Sequence, residues 1–269
     1  MEQFVHHYLE PHRGTPLRVL DVGSQIVLDG QTTYRTLFDD PQWSYVGLDV
    51  TAGLNVDVAV ADPYRWAEVD ADSFDVVVSG QALEHIPYFW LTAFEICRAL
   101  RPGGITMLVA PSSGFEHRFP VDCWRFYRDG MDAIARYVGC DVLDSYTEWS
   151  RPDWADSILV MRKPLWGAAE RERFHRRRLL QYAAAFDIEV GDEPDTDPPS
   201  PSALAGAPAG LLTPVLEQIR VQALAAEVVA PEAAADPAPP PASPRWRQLA
   251  RRFTPAPVLV WYRRVRDGR

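Results

Sequence analysis

The sequence predicts an α/β fold: a doubly wound sheet, mostly parallel, that ends in an antiparallel β-hairpin. Three observations predict it. Apolar runs of strand type alternate with helical periodicity from Leu17 to Val138. Two early runs, Val19-Leu20-Asp21-Val22-Gly23 and Tyr45-Val46-Gly47-Leu48-Asp49, carry an acidic residue at or near their ends, as buried parallel strands do where they open onto a ligand crevice. Two last runs, Asp141 to Tyr146 and Ser157 to Met161, suit an antiparallel pair closing the sheet.

Taken in order, Phe4, Val5, Tyr8 and Leu9 recur at helical spacing and predict a short leading helix that stops before Pro11. Strand one is Leu17 to Val22. A helix is expected between Gly30 and Phe38, then strand two at Tyr45 to Leu48 and strand three at Val56 to Val60. Phe74-Asp75-Val76-Val77-Val78 is the clearest strand, with β-branched residues in a row and Ser79-Gly80 to close it. A long helix covers Tyr88 to Leu100, and Arg101-Pro102-Gly103-Gly104 is a strong turn signal before strand five, Ile105 to Ala110. A polar loop runs from Pro111 to Asp122, and a helix spans Asp129 to Val138.

These units assign residues 1–164 to one catalytic-type domain. Beyond it the composition changes. Residues 165–187 read as an arginine-rich helical extension, with Arg176-Arg177-Arg178 in a row. Residues 188–244 are a Pro/Ala-rich linker that cannot bury a core, with room for a helix at 211–229. The last segment, 245–269, is a basic tail with Trp246, Phe253, Trp261 and Tyr262 interleaved among arginines, a composition that suits an anionic membrane surface or a protein partner.

Composition excludes some functions. The chain has 269 residues, of which 47% are hydrophobic, enough for one ordinary core with length to spare. A net charge of -10 argues against a nucleic-acid partner. Cys97, Cys123 and Cys140 form no CxxC pair, which predicts reduced thiols and neither a disulfide framework nor a zinc site of that type. The amino terminus lacks the basic-then-apolar order of a signal peptide, and no run approaches the roughly 20 apolar residues of a membrane span. The expected location is cytoplasmic, with the tail as a means of peripheral membrane contact.

The ends of the first two strands carry the binding chemistry. Gly23 allows a tight backbone path, and Ser24 suits the start of a helix. Asp49, at the end of strand two, is placed to accept hydrogen bonds from both hydroxyls of a ribose.

At this point the residues resemble the class I methyltransferases that use S-adenosylmethionine. Val19-Leu20-Asp21-Val22-Gly23 resembles their first motif, Gly47-Leu48-Asp49 the acidic end of their second strand, and Ala61-Asp62 the residues beside the adenine. Phe74-Asp75-Val76-Val77 with Leu83-Glu84-His85-Ile86 resembles the fourth-strand motif, and Leu100 to Gly104 the turn before strand five. The resemblance covers about Leu17 to Met161 and implies a Rossmann-like sheet that binds S-adenosylmethionine. It places Asp21, Gly23, Ser24, Asp49, Asp62 and Ser79 around that cofactor. Where the family often has a second and third glycine, this chain has Ser24-Gln25-Ile26, whose larger side chains crowd the methionine part of the site or force a wider loop. His117 to Tyr127 resembles a loop of methyltransferases from bacterial saccharide gene clusters, which implies a saccharide or other small polar acceptor.

Methyl transfer to an oxygen requires removal of a proton, so a base is sought near the strand ends. His85 and Glu84, just past strand four, are candidates; their plain structural alternative is to cap or orient the next helix. Related methyltransferases hold a magnesium ion with such a Glu-His pair, so a divalent metal is left open, although Gln81 stands where a further carboxylate would help. His117 oriented by Asp122 is the second candidate base, with Arg125 and Trp124 as acceptor-binding residues. The alternative there is an ion pair that pins the loop. Two rival functions are kept: a nicotinamide-dependent oxidoreductase, disfavoured because strand one lacks G-x-G-x-x-G, and a non-catalytic scaffold that presents the basic tail.

Overall fold

A computed structural model describes residues 1–28, 30–149 and 154–188. The linker and the basic tail from residue 189 onward, including the helix expected at 211–229, lie outside the described residues.

Seven strands form one sheet in the order β3-β2-β1-β4-β5-β7-β6. They are β1 (Leu17–Val22), β2 (Trp43–Asp49), β3 (Val58–Ala59), β4 (Phe74–Gly80), β5 (Leu100–Pro111), β6 (Asp141–Glu148) and β7 (Asp156–Arg162). The first five are parallel, and β7 runs antiparallel to both β5 and β6. The chain steps from β3 back across to β4 beside β1, so the order reverses between β1 and β4. That switch point opens a crevice at the carboxyl ends of the strands.

Both faces of the central strands are covered. On β1, Leu20 and Val22 face one layer while Leu17 and Val19 face the other; on β4, Val77 and Val76 divide in the same way. This explains why the two runs are mostly apolar and do not alternate strictly, with Arg18 and Asp21 in β1 and Asp75 in β4 as exceptions. The first layer is built by α2 (Phe89–Ala99) and α3 (Arg128–Val138), through Phe94, Ile96, Met131 and Ile134. Full burial of a side chain such as Phe94 contributes about 1.5–3 kcal/mol. The second layer is the leading helical segment, α1 (Glu2–Phe4) continued by a π turn at Val5–Leu9, with Phe38 and Trp43 beside it.

Local chemistry ends α3 cleanly. Asp129 sits in its first turn, where a carboxylate favours the helix dipole, and Gly139 takes the left-handed conformation at its end with φ 79°.

Several expectations differ from the structure: the leading segment does not stop before Pro11 but continues as a 3-10 turn, Glu10–His12, and no helix begins at Ser24. The helix expected between Gly30 and Phe38 is a single 3-10 turn, Tyr34–Leu37. Arg35 there is drawn to Asp57 at 2.5 Å and Asn55 at 2.8 Å, and Thr33 before it is extended. Tertiary partners thus hold the segment where Thr32 and Thr33 already disfavour helix. The Arg101-to-Gly104 turn lies inside β5, as a bulge opposite Phe74 to Val76 of β4. Gly103 adopts φ 82° there, and its amide is recaptured by the Lys163 carbonyl at 2.8 Å.

A last helix, α4 (Ala168–Ala185), packs on α2. Its fastening is polar at the centre: Arg178 donates to Glu95 at 2.5 Å, and Glu95 also accepts from Arg98 at 2.8 Å and from the Trp66 amide at 3.2 Å. Tyr182 and Phe186 complete an aromatic cluster with Tyr64 and Tyr88. Among the described residues no helix is long and apolar enough to cross a membrane.

Candidate active site

The end of β1 turns sharply at Gly23, which has φ 78°. A Cβ added there would lie 2.4 Å from the Ala82 Cβ, so only glycine lets this turn pass under the loop that follows β4. The Gly23 and Ser24 amides both donate to the Leu48 carbonyl, at 2.9 and 3.1 Å. Asp21 is buried and accepts from the Tyr45 hydroxyl; burial pushes its carboxyl up to about 6. Asp21 therefore ties β1 to β2 beneath the turn.

Asp49 stands at the end of β2. Its Oδ2 accepts from the Gln25 amide at 3.1 Å and its Oδ1 from the Val50 amide at 2.7 Å. A carboxylate has about four acceptor positions, so capacity remains for a ligand's hydroxyls. Ser24 and Gln25 are both tied to the segment after β2: the Ser24 hydroxyl donates to the Asn55 carbonyl at 3.0 Å, and Gln25 accepts from Thr51 at 2.8 Å and packs on Gly53. Asp62 accepts from the Tyr64 amide at 2.8 Å and from the Tyr182 hydroxyl at 2.5 Å. Ser79 is fully buried and donates to the Val22 carbonyl at 2.8 Å; it ties β4 to β1, and its hydroxyl does not face a crevice.

The second group lies past β4. A 3-10 turn, Leu83–His85, brings Glu84 inward and His85 beside it. Glu84 is fully buried and, among the described residues, neither carboxylate oxygen has a hydrogen-bond partner; burial pushes it up to about 7. His85 Nε2 is 3.6 Å from Glu84 Oε1, and its Nδ1 lies 2.5 Å from the Val121 carbonyl. Burial lowers the His85 pKa, which keeps the ring neutral at neutral pH.

The loop after β5 delivers the rest. His117 Nε2 is 3.9 Å from the same Glu84 oxygen, and its ring meets His85 edge-on at 4.9 Å. Asp122 accepts the His117 amide at 2.8 Å and both Arg125 nitrogens at 2.5 and 2.8 Å, which holds its carboxyl well below the usual carboxylate range. Arg125 also donates to the Phe115 and Trp124 carbonyls, so its guanidinium is spent on pinning the loop. Trp124 donates to the Ile86 carbonyl at 3.1 Å and lines an open pocket of about 540 Å³ with Phe89, Phe126, Tyr127, Arg125 and Asp129.

Three residues of this region escape sequence reasoning. Tyr34 presses its hydroxyl against Gly80, where an added Cβ would lie 2.1 Å away. Its pKa is pushed up to about 12, by burial first and then by Asp21, Asp156 and Glu84. Trp154 leans on His117 at 5.2 Å, and Tyr182 reaches Asp62 from α4. None lies in a motif; an aromatic inside a short polar stretch, as at Tyr34, was the only signal.

Residues 37–108 match the family model described as a methyltransferase domain. The chain is 31% identical over 141 residues to 27-O-demethylrifamycin SV methyltransferase of Amycolatopsis mediterranei (strain S699), covering 49% of this chain and 50% of that protein. It thus spans about half the length of the curated relative it matches. Among solved structures it is similar to the Burkholderia thailandensis 1,6-didemethyltoxoflavin-N1-methyltransferase with bound 1,6-didemethyltoxoflavin and S-adenosylhomocysteine (TM-score 0.45, 19% identity, 61% of this chain and 76% of that one). It is also similar to an S-adenosylmethionine-dependent methyltransferase of Methanosarcina mazei (TM-score 0.46, 14% identity, 61% and 98%). The family model and the curated relative lend no support to a nicotinamide oxidoreductase.

Proposed function

We propose that this chain, which carries a class I S-adenosylmethionine-dependent methyltransferase domain, methylates a hydroxyl of a saccharide or another small polar metabolite. The observation that carries the reading is the buried Glu84 carboxylate, without a hydrogen-bond partner among the described residues, faced by two histidine nitrogens past the end of β4. A hydroxyl losing its proton needs such an acceptor site.

The residues present fit the cofactor. Asp49 keeps acceptor capacity for a ribose, Asp62 offers a carboxylate beside the base, and Gly23 keeps the first turn free of a side chain. S-adenosylmethionine, when bound, supplies an electrophilic methyl group. The chain's own residues orient and deprotonate. His85 is anchored through Nδ1 and neutral, so its Nε2 can accept a proton; His117, anchored beside Asp122, is the second acceptor. The aromatic pocket of Trp124, Phe126 and Tyr127 supports a sugar-like acceptor, since such rings stack on a sugar face. Ser24 and Gln25, held against residues 51–55, support a site that is open and not self-filled, against the scaffold reading.

Calorimetric titration with S-adenosylmethionine and S-adenosylhomocysteine tests the reading. Micromolar or tighter binding that Asp49→Ala loses is expected, and a screen of saccharide acceptors follows. Absence of binding across salt conditions overturns it in favour of a scaffold.

A further inference from the structure

We infer that Glu84, His85 and His117 form a divalent-metal site of the two-histidine, one-carboxylate kind, suited to Zn²⁺, Mn²⁺ or Fe²⁺. The inference deepens the methyl-transfer reading and rests on it only for the ion's role, not for its binding.

The case is an accounting of lone pairs. The three side chains can each offer one ligand atom such that all three lie within 4.8 Å of one another. His85 Nδ1 faces the Val121 carbonyl at 2.5 Å, an acceptor, so the ring carries its proton on Nδ1 and a lone pair on Nε2. His117 Nδ1 faces two acceptors, Asp122 Oδ2 at 3.5 Å and the Phe115 carbonyl at 3.3 Å, which selects the same tautomer. Asp122 is held as a carboxylate by the Arg125 fork, so it cannot supply a proton instead. Both Nε2 lone pairs then converge on a fully buried carboxylate that has no hydrogen-bond donor among the described residues. Three acceptors thus face one another.

Direct hydrogen bonds do not resolve this. At 3.6 and 3.9 Å the nitrogens stand too far from Glu84 Oε1 for a proton to bridge either pair well. A central cation satisfies all three at once. Ligand bonds of about 2.0–2.2 Å at tetrahedral angles put donor atoms about 3.4 Å apart. The two Glu84–histidine pairs, at 3.6 and 3.9 Å, need to close by a few tenths of an ångström, and the three ligand atoms lie within 4.8 Å of one another. The Nδ1 contacts are the outer-shell bonds that fix ring tautomer and orientation at such sites. Two imidazoles with one carboxylate favour borderline transition ions over Mg²⁺ or Ca²⁺, which prefer oxygen.

Three protein ligands leave a position for the acceptor hydroxyl. An ion held there would make a bound hydroxyl more acidic. The Glu84 oxygen not used as a ligand would then accept its proton, and the two Nε2 atoms would act as ligands with the ion present and as proton acceptors without it.

The test uses the full chain after chelator treatment. Calorimetry with Zn²⁺ and visible absorption on Co²⁺ addition should show one ion bound at micromolar affinity or better, with Mg²⁺ failing to compete. His117→Ala lies on a loop and leaves the core intact; it should weaken the ion about tenfold to a hundredfold or more, as should Glu84→Gln, with thermal unfolding checked for each. Zn²⁺ affinity that both folded variants retain, or no binding by the wild type of Zn²⁺, Mn²⁺ or Fe²⁺, overturns the inference. S-adenosylhomocysteine titrated into metal-free protein separates the readings. Nucleoside binding without ion binding sinks only the metal site, and the reverse sinks only the methyl-transfer reading.

Discussion

Tyr182, in the last turn of α4, donates its hydroxyl to Asp62, 120 positions earlier in the chain, at 2.5 Å. The bond joins a helix beyond the sheet to the loop where an adenine is expected. Asp62 also accepts from the Tyr64 amide, with the Arg65 charge nearby. Tyr182→Phe should therefore lower stability by about 1–2 kcal/mol and weaken S-adenosylhomocysteine several-fold. Urea unfolding and calorimetry check the two effects, and a variant unchanged in both detaches α4 from the site.

Glu95 is fully buried and gathers Arg178, Arg98 and the Trp66 amide. Glu95→Ala strands the buried Arg178 charge and should cost about 3–5 kcal/mol in denaturant unfolding. Combining it with Arg178→Met should recover part of that loss, because the stranded charge goes with its partner. A double variant no more stable than the single one would point to packing instead.

Asp21 gives stability a pH dependence of known sign. Its folded pKa is raised from 3.8 to about 6, by burial first, with the Asp49 charge adding and the Tyr45 bond and Arg35 opposing. The folded state then holds this proton more tightly than the unfolded chain does. Its contribution falls as pH rises through that window and stays low above it. Asp21→Asn keeps an acceptor for Tyr45 and lacks the titration. The stability difference, variant minus wild type, should grow between about pH 4 and about pH 7 and then level off. A flat difference excludes Asp21 as the titrating group.

Gly23→Ala places a methyl 2.4 Å from the Ala82 Cβ at φ 78°. The cost should be about 1–3 kcal/mol, with lost nucleoside affinity. Adding Ala82→Gly should relieve the contact but not the backbone strain, so recovery in thermal unfolding and calorimetry should be partial. Full recovery would mean that φ at this turn costs nothing.

What the sequence determined by itself is what short-range physics writes into neighbouring residues. The strands at Leu17–Val22 and Phe74–Gly80 show as largely apolar runs without strict alternation because both faces are buried. The hairpin of β6 and β7 shows in two runs that follow the last helix of the sheet, and Asp49 shows because a strand end sits at a fixed place on the crevice rim. What only the tertiary structure decided depends on pairs brought together from far along the chain. The Arg101-to-Gly104 signal became a bulge because β4 and β7 flank it with hydrogen-bonding edges that a local turn would waste. Tyr34 lies against Gly80, His117 faces Glu84, and Glu95 is buried under Arg178, although a glutamate in a helix ordinarily faces water. Burial is a property of the packed layers, and a polar side chain carries no local mark of whether its partners will reach it.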